Sequence, residues 1–259
     1  MCRLAAYIGT PIPLQRFLLD PPHSLVVQAW APQELRYAKM NADGFGLGWY
    51  AADGQPATYR NILPIWNDVN LNALGRSLEY GLYLAMVRSA TAGNPLGLGN
   101  TQPFFDRELL FTHNGYVGNF HADTRLRIDR ELMPELHADI QGNTDSEYLF
   151  ALLRQLLRQD PELTIEHALL KLCSRLTFWL EDNEALLNFV ISDGERLYAL
   201  RHALNHDCPS LYYTTDDDSF PDGQLIASER LTSSDYWQPV PEHQLLIIDR
   251  HEPPELIAL

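Results

Sequence analysis

The feature that most restricts the fold is a change of period partway along the chain. In Glu147–Leu157, apolar residues fall at 149, 150, 152, 153, 156 and 157, which is the spacing of one helix face. Thr144 stands three residues before Glu147, a capping-box signature for the start of that helix. A second helix is expected over about 164–180, with Ile165, Leu169, Leu172, Cys173 and Leu176 on one face. Pro161 separates the two. On either side the apolar runs have strand length: 3–9, 46–51, 57–60, 82–88 and 109–113 before, and 186–192, 196–201, 211–215, 224–228 and 244–249 after. Asp53-Gly54 and Asp193-Gly194 each join two such runs as hairpin turns. Strands at both ends with helices between them give an α+β fold of mostly antiparallel sheets.

The 259 residues contain no internal repeat, low-complexity tract or linker, so a single domain over 1–259 is the expectation. A formal net charge of −15 sets the surface against nucleic acid and against anionic membranes. No apolar stretch approaches the ~18 residues of a membrane span, and the apolar part of the N-terminus is shorter than the ~7–15 residues of a signal-peptide core. A cytoplasmic location follows as the default. Three cysteines, Cys2, Cys173 and Cys208, are too few and too odd for a disulfide framework.

Cys2 is the first candidate for chemistry. Its side chain is small, so Met1 is expected to be trimmed, which puts a free α-amine on the residue that carries the thiol. The reference pKa values are about 7.7–8.0 for the amine and about 8.5 for the thiol, so moving the proton from sulfur to nitrogen costs only about 1 kcal/mol. One residue can then supply both nucleophile and general base. The alternative is that cysteine stands second by chance. His113-Asn114-Gly115 follows the run Leu109-Leu110-Phe111, and at a strand end an asparagine amide and a glycine N–H can both donate to an oxyanion; an ordinary Asn-Gly turn is the competing reading. Arg88, in Met86-Val87-Arg88-Ser89-Ala90-Thr91, can clamp a carboxylate or simply end a strand at the surface. Asp145 suits a first helical turn and can also meet a substrate ammonium.

Three further patterns carry less. Asn41-Ala42-Asp43-Gly44-Phe45-Gly46-Leu47-Gly48 lacks both the spacing and the following helix of a dinucleotide loop, and reads as a tight loop near the site that leads into a strand. His202, His206 and Cys208 form an H-x3-H-x-C pattern, but a strand end and Pro209 spoil helical i,i+4 geometry, so no metal and no cofactor is expected. Asp216-Asp217-Asp218 reads as a solvated loop, and Cys173 as core.

Taken in order and spacing, Cys2, Arg88 with Thr91, Asn114-Gly115 and Asp145 resemble the class II glutamine amidotransferases, which are N-terminal-nucleophile hydrolases. The resemblance implies a four-layer αββα sandwich. It implies Cys2 as nucleophile and amine base, with Asn114 and Gly115 as the oxyanion hole. Arg88 and Asp145 would hold the carboxylate and ammonium of a γ-glutamyl group, assisted by Thr91. The loop residues Asn41, Asp43 and Gly44 join this substrate-binding set. Leu19-Asp20-Pro21-Pro22-His23, Val27-Gln28, Ala31-Pro32, Met40 to Gly44 and Val87 to Thr91 are similar to the ergothioneine-pathway branch, whose members hydrolyse γ-glutamyl-hercynylcysteine S-oxide. The similarity covers most of the first 150 residues and thins out beyond. Many amidotransferases have His-Thr-Arg-Trp where this chain has Met-Val-Arg-Ser, which argues against sugar- and purine-forming relatives.

A small γ-glutamyl compound is therefore the expected partner. Ammonia-transferring members carry a synthase domain after the glutaminase domain, and this chain stops after one domain. It is expected to work alone, as a homo-oligomer, or with a separate subunit. A glutathione-degrading amidase, an ammonia-supplying glutaminase subunit and a non-catalytic γ-glutamyl-binding regulator remain as alternatives. A hercynyl trimethylammonium would suit an aromatic face, for which Trp30, Trp66 and Tyr116 are candidates.

Overall fold

The computed structural model describes residues 1–35, 39–90 and 95–259. The chain opens with β1 (Arg3–Pro13), α1 (Leu14–Leu18), α2 (Leu25–Trp30), the hairpin β2 (Phe45–Tyr50) and β3 (Pro56–Asn61), α3 (Leu71–Ser77) and β4 (Glu79–Val87). Next come β5 (Phe104–Phe105), β6 (Leu110–Val117), the short helices α4 (Arg125–Glu131) and α5 (Pro134–Ala138), and the long pair α6 (Asp145–Gln159) and α7 (Ile165–Leu180). Strands then return as β7 (Ala185–Ser192), β8 (Arg196–Arg201), β9 (Ala203–Leu204), β10 (Tyr212–Thr214), β11 (Gly223–Ala227), β12 (Gln238–Pro239), β13 (Gln244–Asp249) and β14 (Glu255–Ala258).

These strands form two antiparallel sheets. One runs β12-β10-β11-β1-β4-β2-β3, with the N-terminal strand at its centre; the other runs β14-β13-β8-β7-β6-β5, with β9 beside β7. The period-2 alternation of each strand divides its side chains between two cores. In β1, Leu4, Ala6 and Ile8 face the second sheet and pack with Leu84, Met86, Leu110, Val190 and Leu246. Its Ala5 and Tyr7 face the other way, onto Phe17, Leu25 and Ala29 of α1 and α2. In β7, Leu187, Phe189 and Ile191 face α6 and α7 through Leu149, Leu153, Leu169 and Leu176. Three cores between four layers make the αββα sandwich.

The helical period of residues 147–180 emerges as α6 and α7, and Cys173 lies in their core. Thr144 caps α6 by accepting the Glu147 N–H at 3.4 Å. The reciprocal half of the capping box is absent, because Glu147 turns its carboxylate to the Gln141 and Gly142 N–H groups, each at 2.7 Å. Two strand expectations need correction. β1 does not stop at Gly9 but crosses a register shift between Ile8 and Ile12 and continues to Pro13. β6 does not stop at His113 but runs through Asn114-Gly115 to Val117, paired with β7 throughout.

Leu246 is fully buried between the sheets. Leu246→Ala is expected to lower unfolding free energy by about 2–5 kcal/mol in urea titrations. A loss below about 0.5 kcal/mol would place this residue outside a packed core.

Candidate active site

Cys2 lies immediately before β1, and its half-buried thiol points at the Ser89 carbonyl oxygen, 3.8 Å away. The terminal amine in this structure is that of Met1; burial draws its pKa below the usual value, helped by the nearby Arg3 charge and opposed by Cys2. The Met1 side chain packs on Leu186, Ala203 and Cys208.

Asn114 lies within β6, opposite Asn188 on β7, so the sequence-based placement at a strand end or turn is overturned. Its side chain falls on the same face as Leu110 and enters the space between the sheets. There Nδ2 lies 3.3 Å from the Ser228 hydroxyl, while Oδ1 is buried without a hydrogen-bond partner. The same hydroxyl accepts the Leu4 N–H at 3.1 Å, and the Ser228 N–H donates to the Leu4 carbonyl at 2.9 Å. Ser228 thus joins β1 to Asn114.

Gly115 is held by its surroundings: a Cβ there would collide with the Leu186 carbonyl oxygen and His113 Nε2. Along an antiparallel strand, alternate residues aim their backbone groups at opposite edges. The His113 N–H and C=O meet the Gln102 side chain at 2.6 and 3.1 Å, and the Val117 N–H meets Asp145 Oδ2 at 2.7 Å. The alternation places the Gly115 N–H on that same edge, between these two satisfied residues.

His113 is fully buried, and burial depresses its pKa against the opposing pull of Asp145. Its Nε2 lies 2.8 Å from the Leu186 carbonyl, which can only accept, so Nε2 carries the proton. Nδ1 then accepts from the Ser146 hydroxyl at 2.8 Å. Asp145, the first residue of α6, takes the Ser146 N–H on Oδ1 at 2.8 Å. Its two oxygens keep lone-pair capacity for a further donor.

Arg88 follows β4 and is 6% exposed, so it is not the surface strand-end arginine of the simpler reading. Its backbone is clamped by the glycine-rich loop: Asp43 N–H to Arg88 O at 2.9 Å, and Arg88 N–H to Gly44 O at 2.8 Å. Arg88 Nη1 reaches Asp43 O at 3.4 Å, and Asp43 Oδ2 accepts the Ala90 N–H at 2.8 Å. Gly44 has φ 109°, and a Cβ would stand 2.8 Å from the Asn61 carbonyl oxygen, so this turn requires glycine. Asn41 is fully buried, and among the described residues neither of its amide atoms finds a hydrogen-bond partner. Thr91 lies outside the described residues. Trp30 and Trp66 are exposed, and Tyr116 is half-buried with its hydroxyl on Glu184 at 2.7 Å.

The sequence reading gave no role to Ser228, Glu229, Gln102 or Ser146. The available signal was a polar pair, Ser228-Glu229, directly after the buried run Leu225-Ile226-Ala227. Glu229 collects His23 Nε2 at 2.7 Å and the Gln33 and Glu34 N–H groups at 2.9 and 3.0 Å, with Arg3 Nε at 3.6 Å. Burial alone would raise its pKa; these four partners outweigh burial and hold it below the ordinary carboxylate value. Arg3 is wholly buried, and among the described residues its three nitrogens make no hydrogen bond, so Glu229 is the largest of the charges that offset its own, ahead of Cys2 and Glu34. The H-x3-H-x-C pattern does not close, since the Nδ1 of half-buried His206 turns to the Asp207 carbonyl. A groove of about 880 Å³, lined by Arg60, Asp106, Arg154 and Arg158 among others, includes none of the candidate residues.

The family model for class II glutamine amidotransferases matches residues 22–225. The γ-glutamyl-hercynylcysteine sulfoxide hydrolase of Mycolicibacterium smegmatis is 31% identical over 97% of each chain. The probable glutamine amidotransferase DUG3 of Saccharomyces cerevisiae is 29% identical over 96% of this chain and 82% of its own. Among solved structures, a class II glutamine aminotransferase domain protein from Silicibacter pomeroyi superposes with TM-score 0.71 at 30% identity, covering 99% of both chains. The allosteric regulatory enzyme of purine biosynthesis shares the fold, with TM-score 0.68 at 17% identity, over 99% of this chain and 49% of its own.

Removing the Glu229 charge leaves Arg3 buried and unpaired. Glu229→Gln is expected to cost about 3–5 kcal/mol in denaturant titrations, with much of it recovered by adding Arg3→Met. The depressed carboxyl stabilises the fold above the unfolded-state pKa near 4.5, and that contribution is lost as pH falls through the folded value. A thermal midpoint that falls equally in wild type and Glu229→Gln on acidification would remove Glu229 as its source. With the family model matching most of its length and the Mycolicibacterium relative aligned nearly end to end, the chain belongs to the class II glutamine amidotransferases.

Proposed function

We propose that this protein is a γ-glutamyl amidohydrolase whose nucleophile is Cys2 after removal of Met1, working as a single domain on γ-glutamyl-hercynylcysteine S-oxide. The observation that carries the reading is the junction at Ser228, which ties the strand beginning beside Cys2 to the inward-facing Asn114. The substrate is drawn from the named activity of the Mycolicibacterium relative, with which the alignment runs nearly end to end.

In this reading the Cys2 α-amine takes the thiol proton, and the thiolate attacks the γ-carbonyl. The Asn114 amide and the Gly115 N–H stabilise the oxyanion. The ammonium then protonates the leaving amine as the C–N bond breaks, leaving a γ-glutamyl thioester. Water, deprotonated by the same amine, hydrolyses the thioester and releases glutamate. Arg88 holds the substrate α-carboxylate, and Asp145 its α-ammonium, with Thr91 assisting. The unpartnered amide of buried Asn41 supports a place for it, with Asp43 and Gly44, in the substrate-binding set. Turning the Asn114 amide over would bring Oδ1 to the Ser228 hydroxyl, which can donate as well as accept, and would free the Asn114 N–H groups for the oxyanion. The three cysteines are all free, in keeping with a reducing compartment such as the cytoplasm.

A second reading is a glutaminase that passes ammonia to a partner subunit; the name of the yeast relative favours it. A substrate panel separates the two: the hercynyl sulfoxide substrate should exceed glutamine and glutathione in kcat/KM, and a preference for glutamine would reverse the assignment. Cys2→Ala should abolish turnover with an unchanged circular dichroism spectrum; retained activity, or an intact mass that includes Met1 in active enzyme, would refute the mechanism. Asn114→Ala should cost about 10²–10³ in kcat. Ser228→Ala should lower kcat about tenfold with KM unchanged. Ser228→Thr should restore it, whereas a purely structural role would move only the thermal midpoint.

A further inference from the structure

We infer that Cys208, Glu242 and His243, with His202 beside them, form a binding site for a borderline-soft divalent cation of the zinc class. The ligand atoms of Cys208, Glu242 and His243 all lie within 4.8 Å of one another. His243 Nδ1 stands 4.0 Å from Cys208 Sγ and 2.9 Å from His202 Nδ1. Thiolate, imidazole and carboxylate are the donors zinc takes in tetrahedral sites. With Zn–N near 2.0–2.1 Å and Zn–S near 2.3 Å, adjacent donors of a tetrahedron stand about 3.3–3.6 Å apart. The Cys208–His243 pair, at 4.0 Å, comes to that value by side-chain rotation of about half an ångström, and the Glu242 carboxylate closes from within 4.8 Å. His202 Nδ1 touches this trio through His243 alone, so three protein donors leave the fourth position of the tetrahedron to water.

The segments that carry Cys208 and Glu242-His243 are held together by the pairing of β13 with β8 and bridged by the Arg201 side chain. Arg201 Nε donates to the Pro209 carbonyl at 2.8 Å, next to Cys208, and Nη1 donates to the Val240 carbonyl at 2.8 Å, just before Glu242. Its Nη2 holds Glu242 Oε1 at 3.2 Å, which orients that carboxylate and leaves Oε2 for a cation. Cys208 is buried, and His243 sits at φ 57° in the turn before β13, a left-handed conformation uncommon outside glycine. On binding, the Cys208 thiol gives up its proton to solvent, and a metal–nitrogen bond replaces the His202–His243 hydrogen bond. The site lies beside the small cluster of Leu186, Ala203 and Cys208 against which Met1 packs, so a bound cation would brace that wall. It keeps Cys208 and His202 of the H-x3-H-x-C pattern and replaces His206 with Glu242 and His243.

Cobalt(II) is the probe, titrated into the full-length protein under reducing conditions. Wild type and Cys2→Ala should both develop tetrahedral d–d bands and a thiolate-to-cobalt charge-transfer band, displaced by one equivalent of zinc. Zinc should also raise the thermal midpoint of both. Cys208→Ser should lose the charge-transfer band, and His243→Gln, which keeps the thiol, should bind at least about tenfold more weakly. No band in wild type overturns the inference. A band that persists in Cys208→Ser and vanishes in Cys2→Ala also overturns it, since the candidate nucleophile would then be the ligand. Should Cys208→Ser fail to fold, unchanged binding by His243→Gln is the result that overturns it.

Discussion

Face-to-face packing of two antiparallel sheets is the constraint on which the rest of this structure depends. The N-terminal strand is central in one sheet, and β6 is near the edge of the other. Stacking the sheets over Leu4, Ala6, Leu110 and Val190 brings the start of the first strand against the far half of β6. A side chain that faces inward from β6 then enters an apolar space with few partners. Asn114 is such a residue, and a buried amide is costly unless it is hydrogen-bonded. Ser228 satisfies one end of it and leaves the other open. The open end is the kind of unspent polar capacity that marks a site rather than a core.

Beneath the first strand, on its opposite face, the polar arrangement is of another kind. Arg3 and Glu229 are both wholly or almost wholly buried, and the pair is extended by His23 and two backbone N–H groups. Glu229 fixes the segment around residues 33 and 34, while Ser228, its neighbour, fixes Leu4 and Asn114. Two consecutive residues at the end of β11 therefore anchor what lies above and below the same strand, as strand alternation requires of adjacent positions.

Much of this organisation is legible in the sequence where a period is long enough to read. α6 and α7 follow from their 3.6-residue spacing, and β13 matches the apolar run 244–249. The short helices α1, α2 and α3 escape that reading, since five to seven residues complete too few turns to display a period. The layering is not legible in the pattern, because alternation within a strand says which faces are apolar but not which sheet lies opposite. Asn114-Gly115 misleads for a clear reason: the dipeptide is the strongest short turn signal, yet here tertiary pairing with β7 carries the strand straight through it. Ser228-Glu229 and the cluster around His243 are invisible to spacing arguments, because their partners lie up to 226 residues away in Arg3 and on separate elements.

The central position of β1 also has a consequence for how the chain matures. One edge of β1 pairs with β4, which follows within about the first third of the sequence, but its other edge pairs with β11, at Gly223–Ala227. Pairings of such long sequence separation form late. Until β11 docks, the first residues of a growing chain belong to a half-built sheet and are open to a trimming enzyme; afterwards Met1 is half-buried against Leu186, Ala203 and Cys208. On the proposed mechanism, exposure of the Cys2 amine would belong to the period of synthesis, and the order in which strands arrive would act as a clock that closes the window for it.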